Sequence, residues 1–187
     1  MIFVFAHGAG APSTSPWMKT YRRALEKRGL RVVTFDFPKT RSSMTPLEDA
    51  FRAVVDQTHA RFPKERIAIG GKSMGGRVAS LIAAKYTLPI SSLVFFGYPL
   101  HPPGKPDRRR DAHLPDVKQP MLFVQGARDP FGNEREMRAL TKKLGAELLV
   151  VAGGNHSLEV PKSSAEKQSD VDARVWDAAA AFVLQLK

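Results

Sequence analysis

The chain of 187 residues contains no cysteine. That absence excludes disulfides, thiolate zinc sites and a cysteine nucleophile, and it fits an enzyme of the reducing cytoplasm. No apolar run is long enough to cross a bilayer. The opening stretch Met1-Ile2-Phe3-Val4-Phe5-Ala6-His7 has no basic segment ahead of it and stops being apolar within a few residues. It reads as a strand, not as a signal peptide. Histidines and acids nowhere show metal-ligand spacing, so neither a metal nor a cofactor is expected. Acidic residues are scarce: 18 Asp and Glu face 29 Lys and Arg, a net charge of +11. A basic excess suits nucleic acid, anionic lipid or acidic substrates. Here it is spread along helical stretches, and its one tight cluster, Arg108-Arg109-Arg110, has no interleaved aromatic on which bases would stack. A solvated basic surface is the expectation, and nucleic-acid binding is not.

What the sequence does have is alternation. Continuous apolar runs occupy residues 2–6, 67–69, 93–96, 121–124 and 148–151, and residues 31–35 read as the second strand. Amphipathic helical patterns separate most of them. Ser15-Pro16 opens a helix carrying Met18, Tyr21 and Leu25, with Gly29 as its stop. Thr45-Pro46-Leu47-Glu48 reads as a capping box ahead of Phe51, Val54 and Val55. A later helix carries Met137, Leu140 and Leu144. Ser169 is the expected cap of a last helix with Val175, Trp176, Ala179, Phe182, Val183 and Leu186 as its stripe. Strands that are apolar throughout, divided by amphipathic helices, predict a single α/β domain over residues 1–187. Its mostly parallel sheet of about six strands is covered on both faces, a three-layer sandwich. The irregular stretch 97–119, rich in Pro, Arg and Asp, is either a short cap or substrate loop, or an ordered surface loop without chemistry.

The chemistry centres on Ile67-Ala68-Ile69-Gly70-Gly71-Lys72-Ser73-Met74-Gly75-Gly76. This is an apolar strand, then Gly-x-Ser-x-Gly, then a helix whose apolar residues Met74, Val78, Leu81 and Ile82 recur at helical spacing. A serine on so tight a turn is lifted above the sheet edge as a nucleophile. Gly71 and Gly75 leave room for the bend. Such a nucleophile needs a base, an orienting acid and oxyanion donors. His156 follows the last strand in Gly153-Gly154-Asn155-His156-Ser157 and is the candidate general base. Asp129 follows the fifth strand in Gln125-Gly126-Ala127-Arg128-Asp129-Pro130. Asp36 ends the second strand and competes with it, but the order Ser, Asp, His favours Asp129. Backbone N–H groups of Met74 and of Ala9 or Gly10, in the turn His7-Gly8-Ala9-Gly10, are the expected oxyanion donors. His7 is expected to tie down its own loop and His59 to face solvent. His101 and His113 are candidate substrate contacts within 97–119.

On His7-Gly8-Ala9-Gly10, Gly71-Lys72-Ser73-Met74-Gly75, Asp129 and His156, the chain resembles the α/β-hydrolase superfamily on its dienelactone-hydrolase-like side. The stretch from Phe96 to Lys105 resembles the group that includes the testis-expressed hydrolase-like protein and a subunit of the non-specific-lethal chromatin complex. The resemblance implies a minimal fold that lacks the superfamily's first two strands and any helical lid. It implies a serine hydrolase acting on an ester or thioester of a small acyl substrate. The competing expectation is a protein-interaction module that keeps the scaffold without activity.

Overall fold

The computed structural model describes residues 1–40 and 43–185. Its six strands are β1 (Ile2–Ala6), β2 (Arg31–Phe35), β3 (Ile67–Lys72), β4 (Ser92–Phe96), β5 (Met121–Gly126) and β6 (Glu147–Val151). They form one all-parallel sheet in the order β2-β1-β3-β4-β5-β6. Five helices cover it: α1 (Pro16–Glu26), α2 (Thr45–Arg61), α3 (Met74–Lys85), α4 (Glu134–Leu144) and α5 (Gln168–Gln185). No helix among the described residues is long and apolar enough to cross a membrane.

Alternation along each strand divides the core in two. Ile2, Val4, Ala6, Ile67, Ile69, Leu93, Phe95, Met121 and Phe123 pack toward α2, α3 and α4. Phe3, Phe5, Ala68, Val94, Phe96, Leu122 and Val124 pack toward α1 and α5. Side chains on both faces are buried, so these strands read as continuous apolar runs. The chain leaves β1 for β2 over one face, then crosses to β3 over the other. The sheet therefore reverses its winding between β1 and β3, and a crevice opens at the carboxyl ends of those two strands.

Close approach at that point selects glycine. A Cβ on Gly75 would lie 2.6 Å from the carbonyl oxygens of both Ala6 and His7. One on Gly71 would lie 2.6 Å from the Ala6 oxygen and 2.7 Å from the Gly75 carbonyl carbon. The first turn of α3 thus rests on the backbone at the end of β1.

Two helix starts differ from expectation. The cap of α2 is Met44, whose thioether makes no cap bond, while Thr45 lies inside the helix and Glu48 bonds to Lys85 of α3 at 2.7 and 3.0 Å. The capping box belongs instead to α4, where Asn133 Oδ1 accepts from the Glu136 N–H at 3.2 Å and Glu136 returns a bond to Asn133. Ser169 lies inside α5, which begins at Gln168, and its hydroxyl turns to Asp170. Val175, Ala179, Phe182 and Val183 are buried as expected, and Leu186 lies outside the described residues.

Between β4 and β5 the chain makes one short 3₁₀ turn, Leu114–Asp116, and is otherwise irregular. It is nonetheless anchored. His101, buried, bonds through Nε2 to Glu136 of α4 at 3.1 Å and through Nδ1 to the Pro102 carbonyl at 2.9 Å. His113 Nε2 lies 2.7 Å from the Ser80 hydroxyl of α3. Burial, with Arg77 and Lys85 nearby, lowers the His113 pKa from 6.5 to about 4.

Gly75→Ala is expected to destabilise the protein by about 3 kcal/mol or more, since the clash is with backbone that has no rotamer to yield. An unchanged denaturation midpoint would contradict the close approach. His113 makes stability pH-dependent. Between pH 6.5 and about 4 the unfolded chain binds a proton that folded His113 refuses, so its contribution falls as pH falls through that window. Unfolding free energies of the parent minus those of His113→Gln, measured across the window, should decline toward low pH and level off below it.

Candidate active site

Ser73 links β3 to α3 with φ 47° and ψ −111°, a left-handed conformation that few non-glycine residues adopt. Such a conformation costs about 1–3 kcal/mol and persists only where its surroundings impose it. Here the Ser73 N–H is held by the Phe96 carbonyl at 3.0 Å, and α3 begins at the next residue. The main chain therefore turns sharply at the serine and presents its hydroxyl to the crevice. Met74 is the first residue of α3, and its N–H is one of the four that a helix leaves free.

His156 reaches the crevice from the loop after β6. Its Nε2 is 2.8 Å from Ser73 Oγ and its Nδ1 is 2.7 Å from Asp129 Oδ2. A carboxylate accepts only, so Nδ1 carries the hydrogen and Nε2 is left free to accept from the serine. Asp129 is 1 % exposed. Its Oδ2 also accepts from Gln125 Nε2 at 2.8 Å and its Oδ1 from the Phe131 N–H at 2.8 Å. Both oxygens are thus satisfied out of water, as a buried carboxylate requires. Gln125 is itself buried, accepting from the Tyr98 N–H at 2.8 Å and donating to the Gly132 carbonyl at 2.9 Å. The Phe131 ring lies against the imidazole with centroids 4.3 Å apart.

The histidine loop is gripped from two more sides. Lys72 donates to the His156 carbonyl at 2.6 Å and sits 5.1 Å from the centroid of the Trp17 ring. Burial lowers the Lys72 pKa from 10.5 to about 8, against the pull of Asp129 and Glu159. Gly97, at φ 64°, lies so close beneath that a Cβ would come within 2.6 Å of the His156 carbonyl oxygen.

A cleft of ≈ 680 Å³ opens over Ser73 and His156. Gly8, Ala9 and Met74 line it beside the serine, Trp17 and Met18 on the α1 side, and Met44, Arg77, Pro99 and Arg110 on the α3 side. Of the sequence-predicted site residues, Ser73, Asp129 and His156 converge, and Ala9 and Met74 border the same cleft. Asp36 does not compete for His156: it is exposed and accepts from the Ser13 N–H at 2.6 Å. His7 bonds through Nε2 to the Phe37 N–H at 3.0 Å and through Nδ1 to the Gly8 carbonyl at 2.7 Å, which ties its loop down. His59 is exposed. His101 and His113 require correction as substrate contacts. Neither lines the cleft, because their imidazoles are spent on Glu136 and Ser80. What the 97–119 stretch does bring to the cleft is Pro99 and Arg110. Sequence reasoning missed Gln125, Lys72, Arg77 and Arg110. Lys72 carried a signal in its place inside Gly-x-Ser-x-Gly, and Arg110 in the basic cluster Arg108–Arg110.

The chain is similar in fold to several solved hydrolases. With Est1E from Butyrivibrio proteoclasticus it shares 17% identity at a TM-score of 0.77, over 99% of this chain and 87% of that one. With the dienelactone hydrolase of Anabaena variabilis it shares 20% identity at 0.75, over 99% and 86%. With an α/β serine hydrolase without lid from Xanthomonas campestris it shares 18% at 0.73, over 98% and 81%. The sequence profile of the family described as "Alpha/beta hydrolase domain" matches residues 1–184. A match of that extent, on a sheet wound in this order, makes the chain a member of the α/β hydrolase family.

Proposed function

We propose that the protein is a serine hydrolase that cleaves a small acyl ester or thioester. The observation that carries this reading is the unbroken line of hydrogen bonds from Asp129 through His156 to Ser73, at 2.7 and 2.8 Å, on the floor of an open cleft. Family membership supports hydrolytic chemistry, and the cleft volume suits a ligand of modest size.

In this reading Ser73 Oγ attacks the substrate carbonyl as its proton passes to His156 Nε2. Asp129 fixes the tautomer and balances the imidazolium that forms. The tetrahedral oxyanion is held by the Met74 N–H and by a second N–H from the turn after β1, that of Ala9 or alternatively Gly10. His156 then gives its proton to the departing alcohol or thiol, leaving Ser73 acylated. Water enters, loses a proton to His156 and attacks the acyl carbonyl. Collapse of the second intermediate releases the acid and returns the proton to Ser73. Lys72 is a positioning residue here: its ammonium holds the His156 backbone while the side chain changes charge.

Ser73→Ala should abolish ester hydrolysis and labelling by a fluorophosphonate while leaving the fold intact. Asp129→Asn should lower kcat by about 10⁴, because an amide does not enforce the required tautomer. A Ser73→Ala protein that labels like its parent would remove Ser73 as nucleophile. Lys72→Met should lower kcat roughly tenfold or more with little change in KM, the loss of one charged hydrogen bond to the histidine loop. An unaltered kcat would show that the loop holds its position without the lysine.

A further inference from the structure

The α3 wall of the cleft carries two arginines that make no ion pair among the described residues. Arg77 stands four residues after Ser73, and its Nε is buried without a hydrogen-bond partner among the described residues. Arg110 arrives from the irregular stretch before β5, and its backbone is pinned on both sides. Its N–H donates to the Leu100 carbonyl at 2.8 Å, and its carbonyl accepts from the Tyr98 hydroxyl at 3.3 Å. Tyr98 is fully buried, so the anchor is rigid. Both arginines border the cleft that holds Ser73.

The two arginines repel each other. Burial lowers the Arg110 pKa, and Arg77 and Arg108 lower it further. Neither arginine makes an ion pair among the described residues, and the acid that also lines the cleft, Glu159, accepts instead from Asn155 Nδ2 at 2.9 Å. The nearest acid in sequence, Asp111, is bound to Arg109. Half-buried like charges held together without a counter-charge destabilise a fold unless something else answers them. Packing does not require them either, since a cleft wall built only for an apolar acyl chain would be served by Met44, Met74 and Pro99. Planar guanidinium forks are suited to the paired oxygens of a carboxylate or phosphate.

We propose that Arg77 and Arg110 form an anion subsite beside Ser73, and that the acyl substrate carries a carboxylate or phosphate that binds there. The proposal rests on the serine hydrolase reading for its reaction but not for its binding. An anionic group seated between the two arginines supplies their missing counter-charge and fixes the distance from that group to the scissile carbonyl. The fold delivers Arg110 through a loop clamped by Tyr98, His101 and His113, so the subsite is preformed and not assembled by closure.

Binding and turnover test it separately. The Ser73→Ala protein is titrated calorimetrically at low salt with monomethyl glutarate, with inorganic phosphate and with neutral dimethyl glutarate. Saturable binding of at least one anion is expected. Adding Arg110→Gln or Arg77→Gln should weaken it by about tenfold or more, with Arg110→Lys intermediate. Tighter binding of glutarate or of phosphate identifies which group the subsite takes. In parallel, kcat/KM is compared for the p-nitrophenyl esters of hemiglutarate and of butyrate. The anionic-to-neutral ratio should fall by about tenfold or more in Arg110→Gln. Anion binding that neither arginine substitution weakens, or no anion binding at all, overturns the subsite. So does cleavage of both esters at a ratio that Arg110→Gln does not alter, and that result leaves the hydrolase reading standing. Arginine-dependent anion binding with no cleavage of either ester upholds the subsite and removes the hydrolase reading instead.

Discussion

The contact between the last carbonyls of β1 and the first turn of α3 is the constraint on which the site depends. At Gly71 and Gly75 nothing larger than hydrogen fits against the Ala6 and His7 oxygens. Three things follow from that approach. The chain turns from strand to helix within one residue, which forces Ser73 to positive φ. Met74, the first residue of α3, comes to line the same cleft as Gly8 and Ala9. And the helix axis is fixed relative to the sheet, so a residue one turn along it, Arg77, borders the same cleft. The strain at Ser73 persists because sheet and helix on either side of it are each buried against a core that does not yield.

A second layer of order lies beneath the proposed triad. Asp129 is satisfied by His156, Gln125 and the Phe131 N–H, and Gln125 in turn is satisfied by Tyr98 and Gly132. Tyr98 continues the line through its hydroxyl to Arg110 and Ser80, and Ser80 to His113. A buried polar network is rigid only when every member is partnered, and each of these is. The same chain of bonds therefore orients the imidazole and anchors the loop that crosses α3. A disturbance at Tyr98 would be felt at both ends of the cleft.

What the residues made legible is what they encode locally. Runs that are apolar on both faces gave the parallel strands, because burial of both faces leaves no polar alternation. The elbow was visible because its glycines and serine are contiguous. Asp129 and His156 were reachable through chain order, since strand ends in a parallel sheet meet at one edge. The misses share a different physics. Thr45 and Glu48 have the spacing of a capping box, yet the helix starts one residue early, with Met44 at the cap, and Glu48 bonds to a lysine 37 residues away. His101 and His113 sit in an irregular loop, where no periodicity says which way a side chain points, and both turned inward to Glu136 and Ser80. Gln125 looked like an ordinary strand terminus, and only the tertiary fold places Asp129, Tyr98 and Gly132 around its amide.

The charge of the chain acquires a different meaning in this light. At the level of composition, +11 is a property of surface and solubility. Within the cleft the positive groups divide by what they hold. Lys72 is committed to the histidine loop, and burial lowers its pKa to about 8 because its ammonium has given up water for a carbonyl and an aromatic face. Arg77 and Arg110 hold nothing comparable. A guanidinium does not discharge by losing its proton, as a buried lysine does, so the cost of placing two of them together persists at every physiological pH. The loop that carries Arg110 is anchored through that residue's own backbone N–H and carbonyl, which fixes where its side chain starts. Arg77 and Arg110 on one wall, with Glu159 across the same cleft, make that wall the electrostatic complement of an anionic group, and under the proposed reading the pair would act on encounter as well as on binding.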